Sequence, residues 1–145
     1  MAAFRNIVLT QGDYVRLAQM VQSLKYAQDA EIKKCVEQIQ HDLNDAHVIA
    51  ADDIPQDVVT MGSRVQFVDA DTREESAYTV VWPDEASMDE GKVSVLAPIG
   101  LALLGCKVED EVNCHTPAGV RRLRITEILY QPEAAAREAQ AEPTV

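Results

Sequence analysis

Two blocks near the start of the chain repeat their apolar residues at helical spacing. Tyr14, Leu17, Val21 and Leu24 step by three, four and three, and Ile32, Val36, Ile39, Leu43 and Ala46 step by four, three, four and three. Residues 11 to 47 contain no proline and a single glycine, Gly12, so nothing interrupts either block from within. Thr10, with Asp13 three places on, is placed to cap the first helix, and Asp29 to cap the second; the break falls near Ala27 and Gln28. Two short amphipathic helices joined by a tight turn cover their seams by folding back as an antiparallel hairpin. The alternative is one continuous helix in a dimeric coiled coil.

From Val48 to Pro55 the pattern dissolves into Ala-Ala-Asp-Asp-Ile-Pro, a linker closed by proline, which sets a boundary near residue 54. The period then changes to two. Val65 and Phe67 alternate with Arg64 and Gln66, and Tyr78, Val80 and Trp82 alternate with Thr79 and Val81. Val93 to Leu96 and Val112 to His115 are further strand candidates, and Thr116-Pro117-Ala118-Gly119 supplies a turn before a long run from Val120 to Tyr130, so the last two strands should form a hairpin. Pro98 to Gly105 has proline at a first helical position and glycine past the end, a short helix. The expectation is an α+β chain: a short antiparallel helical hairpin with its linker over residues 1–54, a small antiparallel sheet folded over one short helix over 55–132, and a flexible tail of frayed helix or disorder over 133–145, in which composition falls to Ala, Glu, Gln and Arg.

Charge narrows the partner. Among 145 residues, 24 acidic against 13 basic side chains give a net charge of −11. So acidic a body is repelled by phosphates, which argues against nucleic acid as the main ligand and favours a basic protein surface. Adjacent acids such as Asp52-Asp53, Glu74-Glu75, Asp84-Glu85 and Asp89-Glu90 read as solvated faces without a pocket to shift them. Arg121, Arg122 and Arg124 form the one concentrated positive patch, pairing with acids of the chain itself or anchoring an acidic partner surface. Gly100 and Gly105-Cys106-Lys107 have nearly the spacing of a phosphate loop, but the residues between are Leu-Ala-Leu-Leu, which favour burial. His41, His47 and His115 share no helical face or cluster, and Cys35, Cys106 and Cys114 show neither zinc nor disulfide spacing. No metal, no cofactor and no catalytic residue is expected. Met1 to Leu9 lacks a signal-type apolar run and no stretch reaches membrane-span length, so a soluble, cytoplasmic protein without a membrane partner is expected.

Four segments in order carry a resemblance. Val59-Thr60-Met61-Gly62-Ser63-Arg64-Val65, then Ser94 to Gly105, then Thr116-Pro117-Ala118-Gly119 and Glu127-Ile128-Leu129-Tyr130 are similar to the C-terminal domain of the Gre transcript-cleavage factors. Ala97, where serine is usual before the proline, and the ending Tyr130-Gln131-Pro132-Glu133-Ala134 point to one particular branch of that superfamily. The resemblance implies an FKBP-like C-terminal fold that binds RNA polymerase at the rim of its secondary channel. Ala97, Pro98, Ile99, Gly100 and Leu101 then lie in or beside the docking face, with Leu103 and Leu104 in the core. Any contact with nucleic acid would be indirect, through the transcription complex.

Reach separates this chain from the cleavage factors it resembles. Their hairpin arms have about thirty residues, whereas here each has about sixteen to nineteen, or roughly 25 to 28 Å at 1.5 Å per residue. Cleavage stimulation requires tip acids within about 2.0 to 2.2 Å of the polymerase magnesium. The tip carries Tyr26, Gln28, Asp29 and Glu31, but Asp29 already has a capping role, and Leu101 stands where Gre factors commonly carry arginine. The expected function is therefore a non-enzymatic transcription regulator that competes with Gre factors on RNA polymerase. The alternatives are a cleavage factor using Asp29 or Glu31, and a peptidyl-prolyl isomerase built on Phe67, Tyr78, Trp82 and Tyr130.

Overall fold

Thr10 opens the first helix as its capping pattern requires. Its Oγ1 accepts from the Asp13 amide at 3.1 Å, and α1 runs Gln11–Ser23. Asp29 opens the second: Oδ1 accepts from the amides of Glu31 and Ile32 at 2.9 and 3.2 Å, and α2 runs Ala30–Asn44. The break between them excludes a continuous helix. These features come from a computed structural model that describes residues 7–116 and 118–141; Pro117 of the expected turn, the start of the chain and the end of its tail lie outside the described residues. Leu17 and Val21 from α1 and Val36, Ile39 and Leu43 from α2 are buried in a common cluster, as the two seams demand. The arms are shorter than expected, 13 and 15 residues. Each stops early because the chain is claimed by something else: a turn from Leu24, and a strand from His47.

That strand is one of a pair the sequence did not announce. β1 (Val8–Thr10) and β2 (His47–Ile49) run parallel, Val8 opposite His47, and form the base from which both arms rise. Three residues are too few to display a period of two.

The larger sheet contains β3 (Arg64–Asp69), β4 (Glu75–Val81), β5 (Lys92–Ser94), β6 (Glu111–Thr116) and β7 (Gly119–Tyr130), in the spatial order β5-β4-β3-β7-β6. The pairs β4/β3, β3/β7 and β7/β6 are antiparallel, as expected, whereas β5 lies parallel to β4. Two single-turn 3-10 segments, Pro83–Glu85 and Met88–Glu90, carry the chain back so that β5 starts again in the direction of β4. Two register shifts between β3 and β7 curl the sheet. α3 (Pro98–Leu103), with Pro98 in its first turn, packs in the curl; Ala102, Leu103 and Leu104 are buried there. Phe67, Val95, Leu123 and Ile125 belong to the same core cluster as Leu17 and Val36, so hairpin and sheet share one apolar interior.

Of the tail expected over 133–145 as frayed helix or disorder, the part up to Ala141 is helical. α4 (Pro132–Ala141) is a helix held by polar bonds: the Arg137 guanidinium donates to the carbonyls of Ala51 and Ile54, both at 2.9 Å. The composition hid this because no apolar stripe is needed when a side chain bonds directly to backbone carbonyls. No helix among the described residues is long and apolar enough to cross a membrane.

Candidate functional site: the α3 rim and the hairpin tip

Ala97, Pro98, Ile99, Gly100 and Leu101 fall on one short element. Ser94 starts it: Ala97 N–H donates to the Ser94 carbonyl and Leu96 N–H to the Ser94 hydroxyl, at 2.9 and 3.0 Å, folding the chain sharply out of β5. Pro98 then sits at a helix start where its missing N–H costs nothing, and Leu101 N–H closes the turn on the Ala97 carbonyl at 2.9 Å. Ala97, Pro98, Ile99 and Leu101 are half-buried. Ile99 and Leu101 each divide between the core they pack against and the surface, while Gly100 is buried. The rim therefore offers a small apolar patch on a backbone fixed by proline and three hydrogen bonds. Because Leu103, Leu104, Gly105 and Cys106 are all buried, the segment has no exposed loop of amides for a phosphate.

At the other candidate element, Tyr26 is 85% exposed, and the Lys25 ammonium stands 5.8 Å from its ring centroid. Gln28, Asp29 and Glu31 are exposed too. Asp29 is engaged, however, since both bonds to its Oδ1 come from the backbone of its own helix. Asp29→Ala is expected to cost about 1 kcal/mol of stability and Asp29→Ser far less, which a urea titration of the two variants checks.

The sequence left unstated how rim and tip are related. Cys35 Sγ donates to the Leu96 carbonyl at 2.8 Å, joining α2 to the residue just before the rim. Burial first, and then the Glu31 carboxylate, raise the Cys35 thiol above its ordinary pKa, so it stays the protonated donor this bond needs. Six residues, 29 to 34, lie beyond that contact toward the tip, or about 9 Å of helix. The tip thus overhangs the rim by far less than the full arm length. On α1 a second brace is visible: the Arg16 guanidinium covers the ring of Trp82, itself buried, at 4.1 Å.

A third feature escaped sequence reading altogether. Asp13 Oδ2 accepts from the Met61 amide at 3.1 Å, tying the first turn of α1 to the loop that enters β3. Burial pushes its carboxyl up to about 6, opposed by the Met61 bond and reinforced by the Glu133 carboxylate. Its place in the capping pattern was legible; its second bond, 48 residues away, was not.

The remaining candidates find partners in the chain itself. Arg121 pairs with Asp69 at 3.1 Å, Arg122 with Asp71 at 2.7 Å, and Arg124 with Glu109. The amides of Thr72 and Asp71, with Arg121 adding to them, hold the Asp69 carboxyl below its ordinary range. His41, His47 and His115 are exposed on separate elements, and Cys35, Cys106 and Cys114 remain thiols. Among the described residues no group of three or more His, Cys, Asp or Glu is gathered that could hold a metal. Phe67 and Trp82 are buried, Phe67 stacks with Tyr78 at 5.9 Å, and Tyr130 is half-exposed at the end of β7. Two surface grooves, of about 360 and 240 Å³, lie on the hairpin and neither is lined by these aromatics.

A helical hairpin set on a curled sheet, with a proline-led helix at the rim, is the architecture of an elongation factor of Gre type. It superposes on a solved structure titled prokaryotic transcription elongation factor GreA/GreB, from Nitrosomonas europaea, with a TM-score of 0.70 and 33% identity, covering 87% of this chain and 99% of that one. The model of the C-terminal domain of transcription elongation factor GreA/GreB matches residues 54–130, and the chain belongs to that family. Over 95 residues it is 40% identical to the regulator of nucleoside diphosphate kinase of Escherichia coli (strain K12), covering 65% of this chain and 70% of that protein. With the transcription elongation factor GreA of Trichlorobacter lovleyi it shares 36% over 96 residues, covering 66% of this chain and 61% of that protein. The similarity to the first of these agrees with the branch that Ala97 and the ending Tyr130 to Ala134 pointed to.

Proposed function

We propose that the chain docks on RNA polymerase at the rim of the secondary channel through Ala97, Pro98, Ile99, Gly100 and Leu101, and competes there with cleavage factors without cutting RNA. In this reading residues 55–132 form the docking part, and residues 1–54 present the tip of Tyr26, Gln28, Asp29 and Glu31. The observation that carries it is the Cys35 to Leu96 contact, which leaves about 9 Å of α2 beyond the rim. Such a tip occupies an entrance and stops short of a metal inside, and the tip acid best placed to ligate one is already bonded to its own helix. The net charge of −11 suits a basic protein surface around the rim patch.

Binding to core polymerase and displacement of a Gre factor test this directly. The protein should bind at micromolar concentration or tighter, displace the factor, and release no 3′ RNA fragment from backtracked complexes. Ala97→Arg, which places a long cation on the patch, should weaken binding by about tenfold or more, a change of about 1.4 kcal/mol. No binding at micromolar concentration would end the proposal, and fragment release would replace it with cleavage stimulation.

A further inference from the structure

The ending that marks the branch has a physical use that docking does not absorb. β1 is tied to the body by its own backbone, Val8 N–H donating to the Gly105 carbonyl at 2.9 Å. β2 runs instead into the linker, and that linker is gripped from the far end of the chain. Arg137 donates to the carbonyls of Ala51 and Ile54, and Gln131 Nε2 donates to those of Pro55 and Val58, both at 2.8 Å. Gln131 is only 4% exposed, so its two bonds are shielded from water. Glu133 accepts from Thr60 Oγ1 at 2.6 Å, in the loop that also holds Asp13 of α1. Pro132 lies so close to this loop that a Cβ on Gly62 would come within 2.9 Å of its ring.

Four consecutive stations of the joint, residues 51, 54–55, 58 and 60, are therefore held by side chains of residues 131 to 137. We propose that Gln131, Glu133 and Arg137 are positioning residues for the hairpin: beside the contacts that Asp13, Arg16 and Cys35 make along the arms, α4 is a strap that fixes the linker end of the hairpin's attachment and so narrows the directions in which the tip can point. The arm contacts are single bonds or one ring contact, whereas the strap holds the chain leaving β2 at several residues in turn. Gln131 and Arg137 act on backbone carbonyls, so their hold on residues 51 to 58 does not depend on the side chains there, while Glu133 holds the Thr60 hydroxyl.

Distances between spin labels test this whether or not the chain binds polymerase. Labels at Gln28→Cys on the tip and Glu127→Cys on β7 report the direction of the hairpin, in a full-length chain carrying Cys35→Ser, whose hydroxyl can still donate to Leu96; Cys106 and Cys114 are buried. The starting chain should give one narrow distance distribution. Arg137→Ala should broaden it by about twofold or more while the melt of the chain stays cooperative, and Arg137→Lys, which keeps one donor, should fall between. Should Arg137→Ala lose its folded melt, Glu133→Ala is read in the same way. A distribution as narrow in the folded variant as in the parent would overturn the proposal.

Discussion

Asp13→Asn is expected to make the protein more stable at neutral pH, against the usual direction for a half-buried hydrogen-bonded acid. The Asp13 carboxyl titrates at about 6 in the fold, up from 3.8, with burial the largest cause. Between those two values the native state holds a proton that the unfolded chain has released. Stability from this group is therefore greatest below the window and falls as pH rises through it. At about 1.36 kcal/mol per unit, keeping the charge in place at pH 7 costs about 3 kcal/mol relative to the neutral form. An asparagine keeps an oxygen to accept from the Met61 amide and carries no charge beside Glu133. It gives up the favourable charge at the start of α1, about 0.5 to 1 kcal/mol, which leaves a net gain of about 2 kcal/mol. That is roughly 5 to 10 °C in melting temperature for a chain of this size. Thermal melts of both proteins at pH 5 and pH 7.5 check it: the gain at pH 5, inside the window, should be about half that at pH 7.5. A variant no more stable than its parent at pH 7.5 would show that the site is better solvated than its geometry says.

What was legible in the sequence was what neighbours in the chain decide. Thr10 and Asp29 cap because a short oxygen two or three residues ahead of free amides finds them wherever the rest of the chain goes. Val65 and Phe67 face inward because alternation leaves them one side to share. Pro98 and Gly105 bracketed α3 for equally local reasons. The features that were missed are all made at long range. β1 and β2 each have three residues, so their pairing is visible only once the arms have folded back. β5 reads as an ordinary strand, and its parallel direction follows from the path of the ten residues between Val81 and Lys92. The hold on α4 was hidden because the grip of Gln131 and Arg137 on residues 51 to 58 uses polar atoms on backbone carbonyls.

The candidate site shows the same division. That Pro98 opens a short helix closed by Gly105 was readable from those two residues, and that Asp29 is a cap was readable from its spacing; that Ala97 to Leu101 belong to a docking face came from the resemblance. The distance that tip can travel was not readable, since it depends on Cys35 meeting Leu96 across 61 positions of sequence. Arm length alone overstates the reach, because a helix lying against the body projects only by the part beyond its last contact. Likewise Arg121, Arg122 and Arg124 could have served a partner or the chain itself; the turn at Asp69 to Asp71 and the nearby Glu109 decide for the chain.

Gly100→Ala should be the most damaging small substitution at the rim. Gly100 lies inside α3, where its backbone is one that any residue adopts, so the cost is purely spatial. A Cβ there would come within 2.1 Å of the Ser94 carbonyl oxygen and 2.9 Å of its carbon. Those are backbone atoms and cannot swing aside as a flexible side chain would. The Ser94 carbonyl is also the acceptor for Ala97 N–H, so relieving the clash breaks the bond that folds the chain into α3. Displacing α3 in turn disturbs Leu103 and Ala102, which are packed in the curl of the sheet. Overpacking of this kind typically costs about 1 to 3 kcal/mol, and a clash between backbone atoms with a lost hydrogen bond adds to it, so a loss of about 3 to 5 kcal/mol is expected. Gly119→Ala is the contrast, since nothing lies within 4 Å of its Cβ position; its positive φ, +128°, leaves only local backbone strain in the turn between β6 and β7. Denaturant unfolding of the two variants should place Gly100→Ala well below Gly119→Ala. If both fall equally, the close approach of α3 to Ser94 is not what holds the rim.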